Sequence, residues 1–187
     1  GSVVLNIKYR KPDFWQRLAE EKVKVVSVVP KLLQYLVEGN EDISKYDLSN
    51  FRTIICGAGP LTVDLAKRFK ERFGYRITHG FGLSESTCYS CYILTDLDED
   101  EYNLWMHEFG FPSIGIPIAP NEMAIHDADG KELGEQERGE IVIRGKNIMK
   151  EYFKRPDANK ETFKHGWFRS GDEGFSKADD KGRPYFF

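Results

Sequence analysis

Two short stretches of the chain concentrate residues able to do chemistry, "HGFGLSES" at 79–86 and "WFRSGDEGF" at 167–175. In the first, Ser84 and Glu85 set a hydroxyl beside a carboxylate. The hydroxyl can bond a phosphate oxygen directly, whereas the carboxylate repels a phosphate unless a hard cation such as Mg²⁺ lies between them. Glu85 therefore implies a metal if this loop holds phosphate. The same residues also suit a plain helix start, with Ser84 capping and Glu85 favouring the dipole. In the second stretch, Asp172 follows a glycine and a hydroxyl at the end of an aromatic-rich strand. From there a carboxylate can accept two hydrogen bonds from a vicinal diol such as a ribose. Otherwise Gly171-Asp172 is a simple turn.

A third stretch, "CGAGPL" at 56–61, shares with "HGFGLSES" a pair of glycines after an apolar run. Backbone amides left uncovered by side chains can meet a flat ligand and its phosphate. Gly57, Gly59, Gly80 and Gly82 serve that purpose in one reading, and in the other merely turn the chain into the next helix. Neither loop is G-x-G-x-x-G, because Thr62 and Glu85 hold the sixth positions, and no G-x-x-x-x-G-K-[ST] occurs. Dinucleotide and Walker-type sites are thereby excluded. "GLSES" differs by one residue from the nucleophile elbow G-x-S-x-G, Ser86 replacing the final glycine. A serine hydrolase would also need an acid and then a histidine downstream, and His107, His126 and His165 stand in no telling context.

The elements that must carry these loops read as alternating strands and helices. Strands are expected at 3–9, 23–29, 51–57 and 75–79, and helices after Pro12, after Pro30 up to Gly39, and over 61–73 with Leu65, Phe69 and Phe73 aligned. The run 23–29 is nearly continuous in apolar character, the pattern of a strand buried on both faces. This order predicts parallel βαβ units with ligands at the carboxyl ends of the strands. Beyond about residue 112 the grammar changes: "EMAIHD" and "GEIVIRG" alternate about a turn rich in Gly, Asp and Glu, and "DDKGRPYFF" signals another hairpin. The expected organisation is an α/β subdomain over 1–112 and an antiparallel, β-rich, barrel-like subdomain over 113–187.

Composition bounds the function. The 187 residues are 40% hydrophobic and 30% charged, with a net charge of -3 from interspersed acids and bases. No basic face is advertised, which argues against nucleic acid. No apolar run approaches the roughly 20 residues needed to cross a bilayer, and no signal peptide is recognisable, so a cytoplasmic location is expected. Three cysteines are too few for a disulfide framework. Cys88 and Cys91 match C-x-x-C, but the surrounding "CYSCYIL" reads as a strand with buried cysteines; no second pair completes a zinc site.

Taken in order, "GAGPL", "HGFGLSEST", "GEIVIRGKNIMKEYFKRPDANKETF" and "WFRSGDEG" resemble the core motifs of the adenylate-forming superfamily of acyl-CoA synthetases, luciferases and peptide-synthetase adenylation domains. The likeness runs from "VKVVSVVPKLLQYL" to the end. It implies that Ala58, Gly59 and Pro60 line the adenine and acyl pocket, and that His79, Gly80, Phe81, Gly82, Leu83 and Ser84 wrap AMP. Phe81 stands where the family usually has a tyrosine on the adenine, and Ser84 replaces the commoner threonine at the α-phosphate. Glu85 corresponds to the Mg²⁺-binding glutamate, and Asp172 to the aspartate that holds the ribose hydroxyls. The implied reaction activates a carboxylic acid with ATP to an acyl adenylate and passes the acyl group to a thiol. "GLSE" is closer to the acyl-CoA ligase form of the motif, which favours coenzyme A over a carrier-protein thiol; a non-catalytic nucleotide-binding module is the reading from another class. The family's phosphate loop, hinge, catalytic lysine and C-terminal domain are expected outside this chain, which on this reading is a central section holding about half of a nucleotide site and is not expected to turn over alone.

Overall fold

The computed structural model describes residues 1–5 and 10–187. They divide into two compact units, residues 1–78 and 79–187. The strand expected at 3–9 lies largely outside the described residues, and the change of grammar at 111–117 falls inside the second unit.

The first unit alternates helix and strand as the apolar spacing requires. It comprises α1 (Phe14–Glu20), β1 (Val25–Val28), α2 (Pro30–Val37), β2 (Thr53–Cys56), α3 (Val63–Phe73) and the start of β3 (Arg76–Phe81). β1 and β2 pair in parallel, Val25 opposite Thr53 through Val28 opposite Cys56. Pro30 opens α2, where its missing N–H costs nothing. Thr62 caps α3 by accepting the Leu65 amide at 3.2 Å, and Gly74 ends it in the left-handed region. The buried stripe of α3 is Ala66, Phe69 and Phe73, with Leu65 on its half-buried shoulder. Trp15 from α1 packs edge-on to Phe51 and tilted on Phe73, with its ring 1% exposed. Burying such side chains supplies about 1.5–3 kcal/mol each relative to exposure. β1 differs from expectation: Val25 is 45% exposed and only Val28 is buried, the strand standing at the edge of its sheet among the described residues.

In the second unit the parallel grammar stops. After β3 the chain makes a 3₁₀ turn at Ser84–Ser86 and returns antiparallel as β4 (Cys91–Tyr92), with Gly80 opposite Tyr92 and Phe81 opposite Cys91. Thus "HGFGLSES" does not lead into a helix. α4 (Glu99–His107), which no apolar periodicity announces, is opened by a reciprocal capping box between Asp98 and Glu101 and buries Tyr102, Trp105 and Met106. β5 (Ile116–Pro117) pairs with β4.

The antiparallel half follows expectation: β6 (Glu122–His126) and β7 (Gly139–Arg144) form the hairpin. α5 (Pro156–Thr162) then precedes β8 (Phe168–Gly174), which adds to β7. β9 (Ser176–Ala178) and β10 (Pro184–Phe186) form the second hairpin. These are open three- and two-stranded sheets, and no closed barrel is present among the described residues. Met123, Ile125, Ile141, Ile143, Phe168 and Phe186 share one core with Cys91, on which Phe81, Leu83, Ile148 and Met149 also pack.

Candidate functional site

The glycines of "HGFGLSES" owe their presence to close approach rather than to backbone turning. Neither Gly80 nor Gly82 has a positive φ. A Cβ on Gly80 would lie 2.6 Å from the Tyr92 ring and 2.7 Å from the Cys91 carbonyl oxygen, and one on Gly82 would overlap the Cys88 carbonyl. The returning chain therefore occupies the space of both missing side chains. His79 points inward: its ring is 5% exposed and its Nδ1–H donates to the Ser113 carbonyl at 3.0 Å. Burial pushes its pKa down, only partly opposed by that bond. Phe81 and Leu83 lean on the core, so the ring expected on an adenine is half-buried against protein.

Ser86 braces the turn. Completely buried, its Oγ accepts the Leu83 amide at 3.0 Å and donates to the Leu83 carbonyl at 3.1 Å. The residue that breaks the nucleophile-elbow pattern thus has a structural task of its own. Ser84 is exposed, and among the described residues no histidine bonds its hydroxyl. Past the turn, Thr87 and Cys88 take positive φ values of 56° and 100°. Cys88 is exposed and off the strand, in contrast to the expected buried pair. Cys91 is buried, its thiol pushed up to about 12 by desolvation.

Glu85 is held by residues that no local motif revealed. Tyr152 donates its hydroxyl to Glu85 Oε1 at 2.8 Å, which raises the pKa of the phenol. Asn159 fixes Tyr152 in turn, accepting its amide at 2.6 Å and donating to its carbonyl at 3.0 Å. The loop between β7 and Tyr152 is stitched to the turn by Met149 N to the Glu85 carbonyl at 2.7 Å, Asn147 Nδ2 to the Ser86 carbonyl at 2.8 Å, and Thr87 Oγ1 to the Asn147 carbonyl at 2.8 Å. Glu85 Oε2 is left open among the described residues. No group of three or more His, Cys, Asp and Glu able to hold a metal occurs among them. One oriented carboxylate fits Mg²⁺, which commonly takes one or two carboxylates and completes its shell with phosphate oxygens and water.

Asp172 sits on an irregularity of the β7–β8 pairing. Glu140 lies opposite Glu173 and Val142 opposite Arg169, so Ile141 alone faces Ser170, Gly171 and Asp172. Such bulges re-aim side chains. Gly171, at φ 79°, makes the local turn. The carboxylate of Asp172 receives no donor among the described residues, and the residue is exposed. Surrounding protein still desolvates it partly, and with the nearby charge of Glu140 this raises its pKa. Its acceptor capacity is unspent.

Ala58, Gly59 and Pro60 fall in the first unit and follow β2, leading to α3. Ala58 occupies the left-handed region at φ 59°, unusual for a residue with a Cβ. Ser84, Glu85 and Asp172 fall in the second unit, where the apolar residues of their loops share one core. No helix among the described residues is long and apolar enough to cross a membrane.

The model of the AMP-binding enzyme family matches residues 1–153. The chain is 31% identical over 172 residues to a feruloyl-CoA synthase of Amycolatopsis sp, covering 92% of this chain and 33% of that protein. It superposes on the N-terminal domain of FACL13 from Mycobacterium tuberculosis with a TM-score of 0.76 at 28% identity, covering 96% of this chain and 42% of that one. The O-succinylbenzoate coenzyme A synthetase MenE of Bacillus subtilis, solved in complex with ATP and magnesium ion, superposes with a TM-score of 0.73 at 26% identity, over 96% of this chain and 34% of that one. The chain spans about a third of the length of the curated relatives it matches. Its fold is that of the N-terminal domains of adenylate-forming enzymes, and the chain belongs to the AMP-binding enzyme family.

Proposed function

We propose that this chain supplies part of the AMP-holding site of an ATP-dependent acid–thiol ligase that uses coenzyme A. In that reaction a substrate carboxylate oxygen bonds to the α-phosphorus of ATP as pyrophosphate leaves. A thiol sulfur then bonds to the acyl carbon as AMP leaves, giving a thioester. On this reading Asp172 accepts the two ribose hydroxyls, Ser84 donates to an α-phosphate oxygen, and Glu85 Oε2 takes a Mg²⁺ ion. When bound, that ion would neutralise charge on the phosphate oxygens. Gly80 and Gly82 let the returning chain pack directly on the loop that carries Ser84 and Glu85, and Leu83 anchors it to the core. His79 is an internal support for the segment and Phe81 a wall beside the base. Carboxylic acid, ATP and coenzyme A are thus the proposed small-molecule partners.

The observation that carries this reading is the state of Asp172, a carboxylate set on a bulge with every lone pair available, in a chain of the AMP-binding family. A surface aspartate serving only as a turn residue usually spends its oxygens on nearby backbone amides, as Asp127 does with the amides of Asp129 and Lys131. The test is calorimetric titration with AMP and with a non-hydrolysable acyl-adenylate analogue. Binding that falls about ten-fold or more in Asp172→Ala supports the assignment. Binding indifferent to that substitution refutes it.

A further inference from the structure

We propose that Glu140 is a positioning residue that holds the Ser170–Asp172 bulge in the shape that presents the diol-binding carboxylate; this rests on the reading of Asp172 as the ribose acceptor. Between Arg169 and Glu173 the strand β8 has three residues where β7 has one. Extra residues in a bulge lose their ladder partners, and their backbone groups must be satisfied otherwise. Glu140 does much of this. Its Oε1 accepts the Gly171 amide at 2.9 Å, while its Oε2 takes a short charge-assisted bond from Arg169 Nη2. Ser170 completes the frame, donating from Oγ to the Ile141 carbonyl at 2.7 Å and accepting the Asp172 amide at 3.1 Å. The side chains of Glu140 and Arg169 are only 24% and 13% exposed. Arg169 Nη2 also donates to the Asp127 carbonyl at 3.1 Å, whereas its buried Nη1 has no hydrogen-bond partner among the described residues.

The arrangement is unfavourable in one respect, which points to function. Glu140 brings a second negative charge near Asp172, and like charges so placed resist ionisation of the weaker-held one. A frame selected for stability alone would use a neutral acceptor under Gly171. Here Glu140 takes the Gly171 amide and pairs with Arg169 Nη2, and Asp172 stays undonated among the described residues.

The experiment is a double-mutant cycle on the chain as it exists, reading affinity for AMP and for 2′,3′-dideoxyadenosine monophosphate, which lacks the diol. Asp172→Ala, Glu140→Gln and the double variant are compared, with melting curves for each. We expect Glu140→Gln to weaken AMP about ten-fold, leave the dideoxy nucleotide unchanged within two-fold, and add nothing to Asp172→Ala. Equal weakening of both nucleotides, or a loss that adds to that of Asp172→Ala, would make Glu140 a general structural residue and overturn the inference. If Asp172→Ala itself leaves AMP binding unchanged, or the wild-type chain binds no AMP at all, the ribose reading fails and this inference with it. Should Glu140→Gln lack a cooperative melt, Ser170→Ala decides: it spares the ion pair, and the same diol-specific loss supports the frame, whereas its absence refutes it.

Discussion

Replacing Gly82 by alanine tests why the loop is glycine-rich. The added Cβ would overlap the Cys88 carbonyl and sit 2.5 Å from Tyr89 Cα and 2.6 Å from the Cys88 carbonyl carbon, where ordinary contact begins at 3.4 Å. The backbone must therefore yield by at least 0.9 Å at Tyr89, the difference between 3.4 and 2.5 Å, and by more at the Cys88 carbonyl oxygen. It is poorly placed to do so. Cys88 N donates to the Leu83 carbonyl at 3.2 Å, and Ser90 N to the Phe81 carbonyl at 2.7 Å. Thr87 is tied to Asn147. Overpacking of this kind costs about 1–3 kcal/mol, and losing two backbone hydrogen bonds adds about 0.5–1.5 kcal/mol each. A total of about 3 kcal/mol would lower the melting temperature by about 10 °C. Gly59→Ala is the control, because its nearest neighbour beyond the adjoining chain is Pro30 Cδ at an ordinary 3.6 Å. That variant should lie within about 0.5 kcal/mol of wild type. Thermal denaturation by circular dichroism reads both. A Gly82→Ala protein melting within about 2 °C of wild type, or a Gly59→Ala protein equally destabilised, would refute the close-approach account.

Two further outcomes are expected. Tyr152→Phe removes the donor to Glu85 while keeping the ring, so the affinity of the nucleotide complex for Mn²⁺, followed by electron paramagnetic resonance, should fall about ten-fold. Metal-free AMP binding should stay unchanged; equal loss in both would contradict an orienting role for the phenol. His79 is buried with its pKa below the ordinary 6.5. The stability it contributes is therefore fully present above pH 6.5 and is lost as pH falls through the depressed value. Urea unfolding between pH 7.5 and 5 should show a smaller loss in His79→Gln than in wild type, a comparison that leaves the like-shifted His126 in both proteins. Identical pH slopes would count against it.

Much of the fold was legible because its signals are local. Phe69 and Phe73 mark the buried face of α3 through spacing alone. "EMAIHD" and "GEIVIRG" alternate, and they pair as β6 and β7. What escaped has a physical reason in each case. β4 is two residues long, too short for any periodicity, yet it reverses the sheet. α4 hides in "DEDEYNLWMH", where acidic residues mask the apolar stripe; the reciprocal Asp98–Glu101 cap was the available sign. β1 reads as fully buried from its valines, but an edge position leaves Val25 exposed.

The candidate site divides along the same line, and the division explains its electrostatics. Ser84, Glu85 and Asp172 are visible because each lies in a short motif. The groups that decide what those residues can do come from afar, Tyr152 standing 67 positions from Glu85, and Glu140 31 from Gly171. The two carboxylates are treated in opposite ways. Glu85 receives a neutral donor on one oxygen, which fixes its orientation without cancelling its charge, the condition a cation ligand needs. Asp172 receives none, while Arg169 bonds Glu140 and the Asp127 carbonyl instead. One carboxylate is thus oriented by a neutral donor and the other is left undonated on its bulge, the two environments that the proposed cation and diol roles of Glu85 and Asp172 require.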